Sequence, residues 1–336
     1  MKAYQVAAFG VDKLAPVELP QPSPGRGQVL IRVRAVSLNY RDLLVVKGLY
    51  NPRMELPRIP CSDGAGEVVT TGEGVTRAKA GDRVAGIFMQ NWIEGPLTAA
   101  KSKRALGGDV DGMLAEYVVL DESGLVAVPE HLSYAEAATL PCAAVTAWQA
   151  LTHAAKVKAG DTVLIQGTGG VSIFALQFAK LMGARVLGTS SSDEKIARAK
   201  TFGLDAAVNY RQQLDWARWA QEQTGGLGVD VVVEVGGAGT FSQSLKAARV
   251  EGTVAQIGVL SQATEPISPT PILHKQLRVQ GIYVGSRTMF EEMNRAITLA
   301  KLKPVVDRVF GFDEARAAFA YMESAGHFGK IVIGVA

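Results

Sequence analysis

A glycine-rich stretch in the middle of the chain has the spacing of a turn that binds a dinucleotide phosphate. Residues 162–174 read TVLIQGTGGVSIF, so a β-branched apolar run leads straight into the glycines. Gly167 allows a tight turn, and Gly169 removes the side chain that would keep backbone N–H groups from a pyrophosphate. Ser172 replaces the usual third glycine, which serves helix–strand packing rather than phosphate contact. The candidate contacts are Gly167, Thr168, Gly169, Gly170 and Val171, and a turn without ligand is the alternative.

The residues after the next predicted strand bear on which nucleotide binds. A site for NAD wants Asp or Glu about 20 residues after the first glycine, to accept from the ribose 2′-hydroxyl. Ser190, Ser191 and Ser192 stand there, and Lys195 follows. Hydroxyls and a lysine suit a 2′-phosphate that an acid would repel, so the sequence favours NADPH over NADH. Plain helix capping by the serines and an exposed charge at Lys195 are the structural interpretations.

Two kinds of pattern surround these residues. Before about residue 126, short apolar or alternating runs are broken by Gly and Pro, which predicts a mostly β domain. The clearest strand patterns are at 28–38, 64–75, 80–88 and 113–120. Residues 133–157 have helical spacing, and after about residue 160 strand and helix patterns alternate over short connections. We therefore predict an α/β fold in which a doubly wound parallel sheet adjoins the β domain.

Length and composition restrict the class of protein. The 336 residues suffice for about two domains. No run approaches the ~18 uninterrupted apolar residues of a membrane helix, and no signal-peptide pattern opens the chain, so we expect a cytoplasmic protein. The net charge is only +3, and the basic cluster Lys101-Ser-Lys-Arg104 contains no aromatic residue, which disfavours a nucleic-acid partner. Two cysteines are too few for a disulfide framework.

Motifs along almost the whole chain resemble the medium-chain dehydrogenase/reductase superfamily. The nucleotide motif lies mid-chain, AGDRV (80–84) precedes it, and ALQFAKLMGARVLGTSSSDEK (175–195) follows it. The stretches Leu38-Asn39-Tyr40-Arg41-Asp42 and Gly48-Leu49-Tyr50 are similar to the zinc-free quinone oxidoreductase, or zeta-crystallin, branch. The resemblance implies a Rossmann domain at 127–301 and a GroES-like, mostly β substrate domain formed by 1–126 and 302–336.

The sequence departs from the zinc-dependent branch at its metal ligands. That branch places a cysteine, a Gly-His-Glu segment and a second cysteine around its catalytic zinc. This chain has Asn39 at the first place and Cys61-Ser62-Asp63 at the second. Cys142 does stand where the later cysteine would be, but a catalytic zinc needs three protein ligands and a water. The resemblance, with these departures, implies no metal site.

The resemblance also assigns residues to the substrate. Without zinc, a developing oxyanion must be stabilised by hydrogen bonds or positive charge. The matching stretch supplies the catalytic candidates Asn39, Tyr40, Arg41, Asp42 and Tyr50, and we expect Asn39 or Tyr50 to donate to the oxyanion. The structural interpretations are half-buried aromatic rings for the tyrosines, an ion pair between Arg41 and Asp42, and a turn at Asn39.

A further group of cofactor contacts follows from the resemblance. Thr146 is expected near the nicotinamide, and Gly258, Val259 and Leu260 are expected beneath it because ligands bind at the carboxyl ends of parallel strands. The resemblance also places Tyr210 over the adenine, Lys330 at the phosphates and Val284, with the residues after it, over the cofactor.

These features predict a zinc-independent, NADPH-preferring oxidoreductase that transfers hydride between NADPH and a quinone, an enone or a related carbonyl compound. Two alternatives stay open: an alcohol dehydrogenase of the same fold, and an NADPH-binding structural protein without turnover. The resemblance further implies a homodimer, formed by pairing of the strand around 277–284 with its copy.

Overall fold

Two sheets of different kinds organise the chain. The computed structural model describes residues 1–261 and 266–335. The strands are β1 (Lys2–Val6), β2 (Leu14–Glu18), β3 (Gln28–Ser37), β4 (Asp63–Thr71), β5 (Arg83–Gly86), β6 (Tyr117–Asp121), β7 (Leu125–Ala127), β8 (Thr162–Gln166), β9 (Arg185–Ser190), β10 (Ala206–Asn209), β11 (Val229–Glu234), β12 (Ala248–Gln256), β13 (Arg278–Gly281), β14 (Val306–Phe310) and β15 (Lys330–Gly334).

Most of the α-helices lie in the second half of the chain. They are α1 (Tyr40–Val46), α2 (Tyr134–Ala137), α3 (Val145–Trp148), α4 (Gly170–Leu181), α5 (Asp193–Lys200), α6 (Trp216–Gln223), α7 (Ala238–Ala247), α8 (Thr270–His274), α9 (Arg287–Ala300) and α10 (Ala315–Glu323). Short π-helical segments at Leu140–Ala144 and Gln149–Ala154 flank α3. Among the described residues, we find no helix with both the length and the apolar character needed to cross a membrane.

The chain divides into two units, and each contains one of the large sheets. Unit 1 comprises Met1–Val145 and Val284–Ala336, and unit 2 comprises Thr146–Tyr283. These limits differ from the division at 126/127 and 301/302 that the resemblance implies, because residues 127–145, and residues 284–301 with α9, fall in unit 1. Asn294 of α9 donates to the carbonyl of Ala127 over 3.0 Å, and Arg287 donates to the carbonyl of Ser123 over 2.9 Å.

The sheet of unit 1 is mainly antiparallel, and β3 is its central strand. The order is β14-β15-β3-β4-β5-β7, and β6 also pairs with β3. In the register of β3 with β4, Ser37 lies opposite Asp63, and in that of β3 with β15, Ser37 lies opposite Val332. The residues after Ser37 therefore lie close to the start of both β4 and β15. This register sets the positions of the polar side chains described below.

The sheet of unit 2 has the strand order of a Rossmann fold. Its six parallel strands run β10-β9-β8-β11-β12-β13, so the first two strands in the chain, β8 and β9, lie inside the sheet. In this 3-2-1-4-5-6 order the direction of winding reverses between β8 and β11, where ligands of such folds bind at the carboxyl ends of the strands. The predicted doubly wound sheet and mostly β domain are both confirmed.

Candidate active site

The glycine-rich turn leads from β8 into α4. Gly167 has φ +67°, a left-handed conformation that favours glycine, and its N–H donates to the carbonyl of Thr189 over 2.7 Å. Gly169 is the N-cap of α4, and a Cβ atom built on it would meet no heavy atom within 4 Å. Thr168 is buried in the turn, and Gly170 and Val171 form the first turn of α4. Open space therefore faces a helix N-terminus, which is the arrangement that binds a phosphate.

Ser172, which replaces the third glycine, has a definite partner. Its buried hydroxyl donates to the carbonyl of Gln166 over 2.6 Å. This hydrogen bond ties the first turn of α4 to the end of β8. The serine therefore lies in the packing between helix and strand, as the sequence predicts.

The serines predicted to select NADPH lie at the end of β9. Ser190 is buried, and its Oγ accepts the N–H of Ser192 over 3.2 Å. Ser192 caps α5, since its Oγ accepts the N–H of Lys195 over 3.2 Å. Tyr210 follows the neighbouring strand β10, and its N–H donates to the carbonyl of Ser190 over 3.0 Å. The structure thus brings four of these predicted residues together with the partly exposed Ser191, and the capping interpretation of Ser192 holds.

A buried network, which we call the glutamate cluster (Gln166, Glu234, Thr240 and Ser244), joins the ends of β8 and β11. Glu234 Oε1 accepts the N–H groups of Gly236 (2.7 Å) and Gly237 (2.9 Å) and the hydroxyl of Thr240 (2.6 Å). Its Oε2 accepts the amide of Gln166 (2.8 Å) and the hydroxyl of Ser244. Gln166 Oε1 in turn accepts the N–H groups of Val235 and Gly236. The cluster fixes the turn at 235–237.

Gly258, Val259 and Leu260 lie beside that turn. The Gly258 N–H donates to the carbonyl of Glu234 over 3.2 Å, and a Cβ atom on Gly258 would lie 2.0 Å from the carbonyl oxygen of Val235. Val259 is 70% exposed and Leu260 is also exposed. Both apolar side chains therefore face solvent at the carboxyl ends of β11 and β12, the edge at which ligands of Rossmann folds bind.

Two other predicted cofactor residues lie at the limits of the units. Thr146 is buried in α3 at the start of unit 2. Val284 is buried at the start of the second segment of unit 1 and has φ +60°. This conformation is a genuine outlier for a β-branched residue and costs on the order of 1–3 kcal/mol.

In unit 1, a second buried network surrounds Asn39. We call it the lysine cluster, and it comprises Asn39, Asp42, Ser62, Asp63 and Lys330. The carboxylate of Asp42 accepts the backbone N–H groups of Asn39 (2.9 Å) and Ser62 (3.2 Å). The Ser62 hydroxyl donates to Asp63 Oδ1 over 2.7 Å and accepts from Asn39 Nδ2 over 3.3 Å. Lys330 Nζ donates to Asn39 Oδ1 over 2.6 Å and to the carbonyl of Leu38 over 2.7 Å.

Burial changes the acidity of the groups in and around the lysine cluster. It raises the pKa of Asp63 to about 6, against the opposing effect of the Lys330 charge. It also raises the pKa of Asp42, which the charge of Arg41 opposes. Burial raises the thiol pKa of both Cys61 and Cys142 and so favours their neutral forms. The backbone N–H of Cys142 donates to Asp63 Oδ2 over 3.0 Å.

The remaining catalytic candidates lie around Arg41. Its Nη1 donates to the carbonyl of Leu106 over 2.7 Å and lies 3.5 Å from Asp42 Oδ1, so the predicted ion pair is present. The guanidinium lies 5.1 Å from the centre of the Tyr50 ring and 5.0 Å from that of Phe88. Tyr40 and Tyr50 are both exposed. Of the five catalytic candidates, Asn39 and Asp42 therefore belong to the lysine cluster and Arg41 borders it.

Several residues of the two clusters were missed by sequence reasoning or given another role. The resemblance places Lys330 at the cofactor phosphates, and the structure shows its ammonium buried and bonded to the carbonyl of Leu38 and to Asn39 Oδ1. Ser62 and Asp63 were considered only as absent metal ligands. Glu234 was not singled out, although an acid at the end of the apolar run VDVVV (229–233) was a signal that could have found it.

A Rossmann sheet with an open phosphate-binding turn, together with a mainly antiparallel second sheet, is the architecture of two-domain dehydrogenases. Family models agree: "Alcohol dehydrogenase GroES-like domain" matches residues 25–130, and "Zinc-binding dehydrogenase" matches residues 170–301. The chain therefore belongs to the medium-chain dehydrogenase/reductase superfamily and is an oxidoreductase of that superfamily.

Similar proteins carry different functional names. The zinc-type alcohol dehydrogenase-like protein C1773.06c of Schizosaccharomyces pombe is 44% identical over 97% of this chain and 96% of its own length. The crystal structure of an NAD-dependent alcohol dehydrogenase matches with a TM-score of 0.92 and 34% identity, and each chain is fully covered. The 2-octenoyl-CoA carboxylase reductase CinF, in complex with NADP and 2-octenoyl-CoA, matches with a TM-score of 0.89 and 27% identity, over 99% of this chain and 87% of CinF.

The family names raise the question of zinc, and the donor set of the lysine cluster does not fit it. Asn39 and Ser62 are bonded to other members of the cluster, and an ammonium lies 2.6 Å from Asn39 Oδ1. Of the three places that the resemblance compares, only that of Cys142 keeps a ligand of the zinc-dependent branch, and a catalytic zinc needs three protein ligands. Within residues 1–261 and 266–335, no three His, Cys, Asp or Glu side chains are grouped so that they could hold a metal ion.

Proposed function

We propose that this oxidoreductase transfers hydride between NADPH and a substrate with a conjugated carbonyl group, either an enone or a quinone, without a metal ion. The observation that carries the proposal is the lysine cluster. At two of the places where the zinc-dependent branch has metal ligands, this chain has Asn39 and Ser62, which are hydrogen-bonded to each other, and a buried ammonium is bonded to Asn39. Such groups stabilise an oxyanion by hydrogen bonding rather than by Lewis acidity.

The chemistry of an enone matches the donors that are available. A reduced nicotinamide supplies the hydride when it is bound. As hydride adds to the β-carbon, an electron pair moves onto the carbonyl oxygen, which then needs a donor. The NH2 group of Asn39 is the donor we assign to this oxygen. Asp63, with its pKa near 6, is the titratable group linked to that donor through Ser62 Oγ.

The arrangement at the end of β9 supports the preference for NADPH. Ser190, Ser191 and Ser192 occupy the position where an acid would bind the ribose of NAD, and Lys195 is one helical turn further on. A 2′-phosphate gains charge-assisted hydrogen bonds from such groups. Tyr210 is exposed beside Ser190 and offers an aromatic surface to the adenine.

A matrix of activities with NADPH and NADH, against quinones, enones, aldehydes and alcohols, tests the proposal when metal content is measured on the same preparation. We expect NADPH oxidation with quinones or enones and zinc well below one atom per chain. Stoichiometric zinc on which activity depends contradicts the proposal. Tight NADPH binding without turnover of any substrate supports the structural-protein alternative instead.

An alcohol dehydrogenase is the second candidate function. It is favoured by the names of two similar proteins, one a zinc-type alcohol dehydrogenase-like protein and one an NAD-dependent alcohol dehydrogenase. The same matrix separates the candidates, because only the alcohol dehydrogenase oxidises simple alcohols with NAD or NADP.

We also propose that the protein is a homodimer. Strand β13 is the last strand of the parallel sheet, and its residues Arg278–Gly281 are all exposed. An exposed edge strand is a template for pairing with a second copy. Light scattering should give twice the mass of 35.6 kDa, and a monomer contradicts the proposal.

A further inference from the structure

The most unusual residue of the lysine cluster is the lysine itself. Lys330 is 3% exposed, although lysine is almost never fully buried unless it is paired. Its Nζ is held by the carbonyl of Leu38 and by Asn39 Oδ1, both within 2.7 Å. The resemblance places this residue at the cofactor phosphates, but its hydrogen bonds within the cluster indicate a different role.

The charges around Lys330 give the first part of that explanation. Two carboxyl groups, Asp42 and Asp63, are completely buried, and two cations, Arg41 and Lys330, lower the pKa of one or both. Without a cation, two carboxylates in one buried site cannot both remain ionised. Lys330 is therefore the fixed positive charge of the cluster, in the region where the zinc-dependent branch has a metal ion.

The orientation of the Asn39 amide gives the second part. An ammonium group only donates hydrogen bonds, so the amide must turn its oxygen to Lys330 and its NH2 group away from it. One of the two hydrogens points to Ser62 Oγ, which itself donates to Asp63. The NH2 group also lies near enough to the Asp63 carboxylate to lower its pKa. Within residues 1–261 and 266–335, the hydrogen that does not point to Ser62 has no acceptor within hydrogen-bonding distance. Asn39 is 8% exposed, so this hydrogen is the donor available to a ligand.

We propose that Lys330 is a positioning residue: its ammonium supplies the fixed cation of the cluster and holds the Asn39 amide so that NH2 faces the substrate oxygen. This inference rests on the proposed function, because it assigns Asn39 as the donor to a developing oxyanion. Lys330 itself touches neither substrate nor cofactor. It acts through Asn39 on the reaction and through its charge on Asp63.

The protonation state of Asp63 links this role to pH. Ionised Asp63 accepts from Ser62, which leaves Ser62 Oγ free to accept from Asn39. Protonated Asp63 would instead donate to Ser62 Oγ, and the direction of the hydrogen bonds from Asn39 through Ser62 to Asp63 would be disrupted. The charged or titratable groups that face Asp63 are Asp42, Lys330 and Cys142, with Cys61 and Arg41 beyond them. Activity should therefore fall as the pH drops through about 6.

The main test is Lys330→Met in the full-length protein. We expect kcat for an enone or quinone to fall about 100-fold, the cost of one oxyanion donor. The acidic limb of the pH profile should move up by about 1 unit or more, since an opposite charge has been removed. The Kd for NADPH should not change. Carboxyl titration by NMR or infrared difference spectroscopy, assigned with Asp63→Asn, should show the same upward shift of the Asp63 pKa without any turnover.

A double-mutant cycle tests whether Lys330 acts through Asn39. Asn39→Ala alone should lower kcat about 100-fold, and adding Lys330→Met to it should lower kcat little further. Lys330→Gln keeps a hydrogen-bond donor but loses the charge, and it serves if the methionine variant does not fold. Lys330→Gln should retain more of the wild-type kcat than Lys330→Met does. The acidic limb of its pH profile should move up as far as it does in Lys330→Met.

Lys275→Met is the matched control. Lys275 Nζ also donates to three backbone carbonyls, those of Leu245, Lys246 and Ala248, but it lies in unit 2 and makes no contact with the lysine cluster. This variant should lose stability and keep its pH profile.

Three results would overturn the inference. If Lys330→Met binds NADPH more weakly and keeps its kcat, then Lys330 contacts the cofactor phosphates and does not position Asn39. Additive losses in the double-mutant cycle mean that Lys330 does not act through Asn39. If the pKa of Asp63 is the same in Lys330→Met as in the wild type, then the charge of Lys330 does not act on Asp63. If no substrate is turned over at all, the proposed function fails, but the Asp63 titration and the NADPH affinity still decide the role of Lys330.

Discussion

The two buried polar clusters of this protein satisfy their carboxylates in opposite ways. In the glutamate cluster of unit 2, a single carboxylate accepts five hydrogen bonds and has no charged partner among the members of the cluster. In the lysine cluster of unit 1, two carboxylates accept four hydrogen bonds from neutral donors, and the charges of Arg41 and Lys330 further compensate them. In the first cluster each carboxylate and amide oxygen accepts at least two hydrogen bonds, whereas the second keeps one donor hydrogen and one acid with a pKa near 6.

This difference separates a cluster that holds backbone in place from one that is suited to chemistry. A fully satisfied network is rigid and fixes a unique conformation. A network with a spare donor and a titratable acid can respond to a ligand and to pH. We therefore expect damage to the glutamate cluster to appear mainly in folding, and damage to the lysine cluster mainly in turnover and pH dependence.

The largest effect is expected from Glu234→Gln. Glutamine has the shape of glutamate, but its NH2 group replaces one of the two carboxylate oxygens. Each of those oxygens accepts at least two hydrogen bonds, so at least two buried donors lose their acceptor. The free energy of unfolding should fall by about 4 kcal/mol, measured by urea denaturation with the fluorescence of the buried Trp216. Asp230→Asn is the control on the same strand. The asparagine oxygen can still accept the N–H of Thr162, and the partly exposed pair with Arg249 that is lost is worth about 1 kcal/mol or less. A loss no larger than that of the control contradicts the assignment.

The next largest effect is expected from Asp63→Asn, as a pH-dependent gain in the free energy of unfolding. The Asp63 pKa is about 6 in the folded protein and about 3.9 in an unfolded chain. Between these values the folded state binds the proton, so wild-type stability falls as the pH rises from 4 to 6 and is level above. Relative to wild type, the variant should gain about 3 kcal/mol across that window. A stability difference that does not vary with pH would show that Asp63 titrates normally.

Gly169→Ala should separate ligand binding from folding in unit 2. Its Cβ would enter open space at φ −76°, so the unfolding free energy should stay level or rise by about 0.5 kcal/mol. The methyl group would occupy the place of the phosphate, and the Kd for NADPH, measured by fluorescence titration, should rise at least about 10-fold. Gly258→Ala is the contrasting variant, since its Cβ lies 2.0 Å from a carbonyl oxygen and it should be destabilised. Unchanged NADPH affinity in Gly169→Ala contradicts the phosphate site.

The smallest effect is expected at Lys195. Lys195→Ala should raise the KM for NADPH about 10-fold, the value of one charge-assisted contact, and leave the KM for NADH unchanged. Lys200→Ala, at the other end of α5, is the control and should change neither constant. Equal changes for the two cofactors, or better activity with NADH in the wild type, would refute the preference for the 2′-phosphate.

The sequence was most informative where local pattern decides structure. The run TVLIQ before the three glycines of GTGG predicts the strand, the turn and the helix around Gly167, because each follows from residues a few positions apart. The residues of the lysine cluster come from three separate stretches of the chain. Only the register of β3 with β4 and β15 brings Asp63 and Lys330 to Asn39. No local pattern contains that register, which is why Lys330 was given a different role.

The pairing of β15 with β3 also has a consequence for the order of events during synthesis. Lys330 and Asn39 are 291 positions apart in the chain, whereas unit 2 is continuous from Thr146 to Tyr283. A ribosome releases unit 2 whole while β3 still lacks its neighbour β15. Contacts between residues so distant in sequence form late. Unit 2 can therefore fold on the nascent chain, whereas the lysine cluster cannot form until Lys330 has been translated.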